Sequence, residues 1–261
     1  MAKYIESPQN KIYKRLKGLQ LKKNRDKEGL FLAEGLRFVS EIPDTWTVDF
    51  IACSQTFSKE MDTIDFETRW NLIVFPDDLF EDLCDTESPQ GVLAVCAKRQ
   101  DTIATLPTKE NYFFILAEEL NDPGNLGTII RTADACGADG VFLSKGSVDV
   151  YNPKVLRSTM GSLFHLPIFQ NVDLSETATI LQEKGVSLYA AHLQGTDYPY
   201  TLPLTKSCGF LIGNEARGLS DAVANLCNQF VKIPMPGQAE SLNASIAAGV
   251  LMYEVVRQRL K

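Results

Sequence analysis

The sequence predicts an α/β protein whose larger part is a mostly parallel sheet flanked by helices, preceded by a small α/β domain. Three observations predict it. Short apolar runs alternate with helical stretches along the 261 residues, the pattern of repeated β-α units. The run YFFILAE (112–118) is almost uninterruptedly apolar, as suits a central strand covered on both faces. Residues 98–111, KRQDTIATLPTKEN, are polar and without period, and mark a linker. The domains are therefore 1–97 and 112–261, joined by 98–111.

In order, residues 7–24 read as a basic amphipathic helix with Ile12, Leu16 and Leu19 on one side. LFLAEG (30–35) is a short apolar run, followed by a helical stretch around 35–42. TVDFIACS (47–54) and WNLIVF (70–75) read as strands. Pro76 then opens a short helix, PDDLFEDLCD, with acidic residues in its first turn. SPQGVLAVCA (88–97) is a turn and a strand. In the second domain TIIRTADACG (128–137) is a helix closed by Gly137. VFLS (141–144) is a strand, and Asn152-Pro153 pairs an N-cap with proline at the first helical position, starting a helix to about Phe164. A strand follows His165. VSLYAAH (186–192), CGFLIG (208–213) and FVKIP (230–234) are further strands, and the last helix runs from Ser241 to about Leu260.

Hydrophobic residues are 44% and charged residues 23% of the chain, which excludes a disordered, collagen-like or coiled-coil protein. No window reaches the roughly 18 consecutive apolar residues of a membrane helix. The N-terminus is basic without an apolar core, so no secretory signal is expected, and a cytoplasmic protein is. The six cysteines are scattered singly, with no CxxC pair, and the only histidines are His165 and His192. That spacing offers no metal site. Residues 1–38 hold ten Lys and Arg against four acidic residues, about +6, which leaves about −13 for the rest. The basic end suits either phosphate contacts or a solvated helix face.

Three loops follow predicted strands and so fall where parallel sheets bind ligands. They are Asn121–Gly127 (NDPGNLG), Gly213–Ser220 (GNEARGLS) and Pro234–Asn243 (PMPGQAESLN). The second resembles a phosphate loop, but Leu219 stands where that motif needs Lys, so an NTPase is excluded. No G-x-G-x-x-G follows a strand and no G-x-S-x-G occurs, so a dinucleotide enzyme or a serine hydrolase is unsupported.

Taken together, NDPGNLGTIIRTADACGADGVFL, GFLIGNEARGLS and IPMPGQAESLNASIAAGVLMYE resemble the three signature motifs of the SpoU (TrmH) branch of the SPOUT RNA methyltransferases, in order and spacing. The first hundred residues resemble the ribosomal-protein-like substrate-binding domain that precedes the catalytic domain in many members. The resemblance implies S-adenosylmethionine as methyl donor, a ribose 2′-hydroxyl of structured RNA as acceptor, a C-terminal trefoil knot and a homodimer through the knotted domain and last helix. It prefers ribosomal RNA to transfer RNA. The alternatives are a transfer RNA 2′-O-methyltransferase and a non-catalytic RNA-binding or ribosome-assembly protein that kept the fold.

The resemblance also assigns residues. Gly213, Ile233 and Leu242 frame the adenosine, with Leu211 and Met235 as further walls. An adenine ring wants an apolar slot with exposed backbone groups, although Ile233 and Leu242 would equally suit plain core packing. Asn125, Arg131, Glu215, Ser241 and Asn243 carry the acceptor chemistry. One family proposal makes the arginine the general base. A guanidinium with a pKa above about 12 is better suited to gripping the phosphate beside the reactive ribose. Glu215 orients Arg131 or Asn125, and Ser241 suits an N-cap of the last helix. For RNA contacts the candidates are Lys11, Lys14, Arg15, Lys22, Lys23 and Arg25, together with Arg157, which matches a recurrent family position and is a phosphate contact, a residue near the active site of the partner subunit, or an ordinary surface or inter-helix arginine.

Overall fold

The structure, a computed structural model, describes residues 2–60 and 69–260. It divides into two compact units. The first holds the chain up to Arg99 together with Tyr151–Phe164, and the second holds Gln100–Val150 and the chain from His165 onward.

The first unit is built on β1 (Lys3–Tyr4), β2 (Leu30–Glu34), β3 (Val48–Ser54), β4 (Leu72–Phe75) and β5 (Val92–Ala97). Their order is β1-β4-β3-β5-β2, parallel across β1, β4 and β3 and antiparallel at β5. Among the described residues five helices accompany them: α1 (Lys11–Leu19), α2 (Lys22–Glu28), α3 (Leu36–Ser40), α4 (Gln55–Glu60) and α5 (Asp77–Leu83). Tyr13, Leu16 and Leu19 of α1 enter a core with Phe50, Phe75, Phe80 and Val95.

The single helix expected over 7–24 is two helices, because α2 supplies the cap of α1. Asn24 donates its side-chain amide to the Gly18 carbonyl at 2.9 Å. The Arg25 guanidinium donates to the carbonyls of Leu19 at 3.1 Å and Gln20 at 2.7 Å. The free carbonyls at the end of a helix are thus satisfied by side chains, and Leu21 between the helices is extended.

The second unit carries a six-stranded parallel sheet. Its strands are β6 (Phe113–Ala117), β7 (Gly140–Ser144), β8 (Ile168–Val172), β9 (Ser187–Ala191), β10 (Cys208–Ile212) and β11 (Gln229–Val231), ordered β11-β9-β10-β6-β7-β8. The central strands are buried along their whole length, which accounts for the apolar run at 112–118. Phe114, Leu116, Phe142, Phe169 and Leu188 form the core of one face, with Phe142 and Phe169 stacked 4.3 Å apart. Helix α6 (Pro123–Ala135) begins five residues earlier than expected, because Asp122 caps it and Pro123 takes the first helical position. Most of the first expected loop is therefore helix.

Segment 151–164, between β7 and β8, belongs to the first unit. It carries α7 (Pro153–Thr159). Tyr151 lies 4.6 Å from Phe31, and Phe164 meets Phe38 at 5.0 Å and Trp46 at 4.8 Å. This helix stops before the expected Phe164 because Met160 and Gly161 take left-handed conformations, with φ 51° and 98°. After β8 come α8 (Leu174–Glu183), absent from the sequence reading, α9 (Asp221–Ala224) and α10 (Ala244–Arg259), which packs on α6. Among the described residues no helix is long and apolar enough to cross a membrane.

Two backbone approaches in the second unit are tight. A Cβ on Gly195 would fall 2.8 Å from the Lys232 nitrogen, and one on Gly213 would fall 2.1 Å from the Gly218 carbonyl carbon.

Candidate active site

The second and third loops meet at the carboxyl ends of β9, β10 and β11, around a cavity of about 390 Å³. That is within the usual range for small-molecule sites. Its walls come from Ala191–Gln194 after β9, Ile212–Leu219 after β10, and Ile233, Met235, Ser241 and Leu242 after β11. Gly213 lets the two ends of its own loop pass in contact. Any side chain there would occupy the space of Gly218 and Leu219.

The fit to a nucleoside-type ligand can be tested on these walls. Leu242 is 38% exposed and Ile233 is half-buried, so neither is a core residue. Apolar side chains turned toward an open cavity, beside main-chain N–H and C=O groups, make the slot an adenine ring prefers. Leu211 is a correction. It is fully buried among Phe114, Leu116 and Leu188, facing the core, and it is the next residue along β10, Ile212, that lines the cavity. His192, given no role by the sequence, also lines it. Its ring lies 5.1 Å from Phe230, and its Nδ1 accepts from the Gln194 N–H at 3.2 Å.

Beside the cavity three of the predicted acceptor residues are joined in one hydrogen-bonded chain. Asn243 donates its side-chain amide to the Asn125 side-chain oxygen at 2.9 Å. Asn125 donates its own amide to Glu215 Oε1 at 3.1 Å. Glu215 also accepts from the N–H groups of Asp122 at 3.0 Å and Asn121 at 3.2 Å. The amide orientations follow from the far end. The Asn243 oxygen is committed to the start of α10, accepting from the N–H of Ser245 and Ile246. Its nitrogen must then face Asn125, whose nitrogen must face the carboxylate. Burial pushes the Glu215 carboxyl up, but the Asp122 N–H, the Asn125 amide, its own N–H and the Asn121 N–H outweigh it and hold the group below its ordinary value.

Of the alternatives left by sequence, Glu215 therefore orients Asn125. Asn243, not Ser241, caps the last helix, and Ser241 lines the cavity. Arg131 lies two turns into α6 and is exposed. Among the described residues no hydrogen bond or ion pair holds it.

The predicted RNA-contacting cations of the first unit separate into two groups. Lys11, Lys14 and Lys23 are exposed. Among the described residues the Lys14 ammonium bonds only to Gln9, at 2.6 Å. The others are engaged internally: Lys22 pairs with Asp26 at 2.8 Å, and Arg15 pairs with Glu28 at 2.6 Å and Asp49 at 2.8 Å. Arg157 pairs with Asp85. Arg25 is a correction: at 4% exposure and committed to the end of α1, it is a structural residue unable to reach a phosphate. Among the described residues no group of His, Cys, Asp and Glu is arranged to hold a metal ion.

The profile of the SpoU rRNA methylase family matches residues 112–253, and that of the MRM3-like substrate-binding domain matches residues 10–94. The chain belongs to the SpoU rRNA methylase family. It is 35% identical to the 23S rRNA (guanosine(2553)-2′-O)-methyltransferase RlmP of Bacillus subtilis, over 97% of this chain and 99% of that one. It is also similar to the SpoU methyltransferase AviRb of Streptomyces viridochromogenes in complex with AdoMet, with a TM-score of 0.86, 32% identity, and coverage of 97% and 99% of the two chains. The AdoMet-bound rRNA methyltransferase of Sinorhizobium meliloti superposes with a TM-score of 0.87, at 29% identity, covering 100% and 99%.

Proposed function

We propose that this SpoU-family chain methylates a ribose 2′-hydroxyl of RNA, ribosomal rather than transfer RNA, with S-adenosylmethionine as donor. The observation that carries the reading is the junction of the apolar cavity with the Asn243–Asn125–Glu215 chain, held at one end of one sheet. When bound, the donor would supply an electrophilic methyl group on a sulfonium: as the ribose oxygen bonded to the methyl carbon the C–S bond would break, the neutral thioether would leave and the hydroxyl proton would pass to water.

The chain's own residues divide the work of binding and orientation. Gly213, Ile233, Met235 and Leu242 wall the donor site. Asn125, fixed at both ends of its amide, and Ser241 at the cavity rim hold the acceptor in line. Arg131 is a free, permanently charged fork on the same helix as Asn125. It grips the phosphate next to the reactive ribose and lowers the cost of developing negative charge on the oxygen. The chemistry needs no metal ion.

The first unit supplies RNA affinity through Lys11, Lys14 and Lys23, contacts that set position rather than sequence. The ranges 1–97 and 112–261 are the substrate-binding and catalytic parts, with 151–164 of the second range packed in the first unit, and the C-terminal part carries the family's trefoil knot. The protein works as a cytoplasmic homodimer through α10. Ile246, Val250 and Tyr253, spaced four and three residues apart on one face, are 55%, 43% and 57% exposed, an apolar stripe suited to a second copy.

The test is methyl transfer from labelled S-adenosylmethionine to total RNA from cells lacking this protein, with Arg131→Ala as the control. Label at a ribose of ribosomal RNA, lost in the variant, is the expected result. Label in transfer RNA alone moves the substrate. Donor binding without transfer to any RNA, ribosomal precursors included, favours the assembly-protein reading.

A further inference from the structure

Two adjacent carboxylates at the end of β6 grip the second loop from outside the cavity. Glu118 accepts from both the N–H and the hydroxyl of Ser220, at 2.8 and 2.7 Å. Glu119 holds the loop twice. Its carbonyl accepts the Asn214 side-chain amide at 2.7 Å, and its carboxylate pairs with Arg217. Between these points residues 214–218 form a small hairpin, closed by Asn214 N–H to the Gly218 carbonyl at 3.0 Å and the reverse bond at 2.9 Å. Glu215 sits on that hairpin.

Glu119 has φ 47°, the left-handed region that a residue with a Cβ rarely occupies. The turn is fixed on its other side by the Ser144 hydroxyl, which accepts the Glu119 N–H at 2.8 Å. In this conformation the carbonyl and the side chain of one residue both reach the hairpin. An unfavourable backbone angle held in place by its surroundings beside a binding site is a reason to ask what it positions.

We infer that Glu119 is a positioning residue of methyl transfer, an inference that rests on the function proposed above. Through Arg217 and Asn214 it sets the height of the 214–218 hairpin, and so the place at which Glu215 holds Asn125. It touches neither donor nor acceptor. Its effect reaches the reaction through the Asn125 amide, while Ile233, Met235 and Leu242, the donor walls after β11, lie off the hairpin.

The experiment compares wild type with Glu119→Gln, Glu119→Asp, Arg217→Ala and Arg217→Lys. It reads amide exchange of residues 213–220, donor affinity, and kcat with S-adenosylmethionine and the total RNA described above. Glu119→Gln should speed exchange in 213–220 and lower kcat about tenfold, with donor affinity changed less than about threefold; Arg217→Ala, which also removes a side chain from the cavity wall, should speed the same exchange. Arg217→Lys should recover part of the loss, and a fifth variant that combines Glu119→Gln with Arg217→Ala should exchange no faster than Arg217→Ala alone. Exchange in 213–220 that stays at the wild-type rate overturns the inference. So does a parallel fall in donor affinity and melting temperature that accounts for all lost activity. Should Glu119→Gln fail to fold, Glu119→Asp and Arg217→Lys are read by the same criteria. A wild type that methylates no RNA removes the proposed function. The exchange rates then decide alone whether Glu119 holds the loop.

Discussion

Asn243 and Asn125, 118 residues apart, share a side-chain hydrogen bond of 2.9 Å that joins the cap of the last helix to the proposed acceptor site. One amide thereby performs two tasks. Its oxygen caps α10, and its nitrogen fixes which way Asn125 faces. Asn243→Asp separates the tasks, because aspartate caps as well as asparagine but cannot donate. The variant should keep a thermal midpoint near wild type and lose about 100-fold in kcat, the scale of one misplaced site donor. Melting curves and initial rates on the same preparation check it.

Gly213→Ala should abolish donor binding. The new Cβ would lie 2.1 Å from the Gly218 carbonyl carbon and 2.2 Å from the Leu219 nitrogen. Both are main-chain atoms, so the loop itself must move. Such overpacking costs about 1–3 kcal/mol, and calorimetric titration with S-adenosylmethionine should show no heat while the fold persists.

The pH response of Glu215 has a defined sign. Its carboxyl is held below the ordinary value of 4.5 in the folded chain. Its contribution to stability is therefore fully present above the unfolded value and is lost as pH falls through the lower folded one. Urea unfolding of wild type and Glu215→Gln should differ by a constant amount above about pH 5.5, and the gap should close toward acid. A gap that widens toward acid would contradict the hydrogen-bond chain.

Arg25 and the exposed lysines should fail in opposite ways. Arg25→Ala leaves the Leu19 and Gln20 carbonyls without donors and should destabilise the chain by about 2–4 kcal/mol. The triple variant Lys11→Glu, Lys14→Glu, Lys23→Glu should melt near wild type. Its RNA affinity should fall and its dependence on salt should flatten, since fewer counterions are released. Filter binding at several salt concentrations distinguishes the two.

Val250→Arg with Tyr253→Asp should give a monomer by sedimentation. The stripe they share with Ile246 is apolar and exposed, and two charges of opposite sign at neighbouring positions on one face would have to be desolvated in a symmetric contact. Unchanged sedimentation would place the interface elsewhere.

Much of the strand pattern was legible because burial on both faces leaves a continuous apolar run, as at 113–117 and 208–212. Helix α8 was legible too. Asp173 caps it, and Leu174, Ala178 and Leu181 recur at helical spacing. The break between α1 and α2 was not legible, since hydrophobic period alone cannot show that Arg25 closes the preceding helix. Nor was the place of Tyr151–Phe164, which rests on ring contacts with Phe31, Phe38 and Trp46. Leu211 and Ile212 differ only in the face of the strand they occupy, and period two makes one of them core and the other cavity wall.

By itself the sequence determined the class of fold and the three loops beyond the strand ends, because local propensity and hydrophobic period carry that information along the chain. The roles of the loop residues came from the resemblance to the SpoU family alone. Only the tertiary structure decided which of those residues meet: that Asn243 and Glu215 close on Asn125, that no described residue pairs with Arg131, and that Arg25 is spent inside the fold. Hydrogen-bond partners separated by 90 or 118 residues are chosen by how the sheet and its loops pack, and a buried donor or acceptor takes whichever partner that packing brings within about 3 Å.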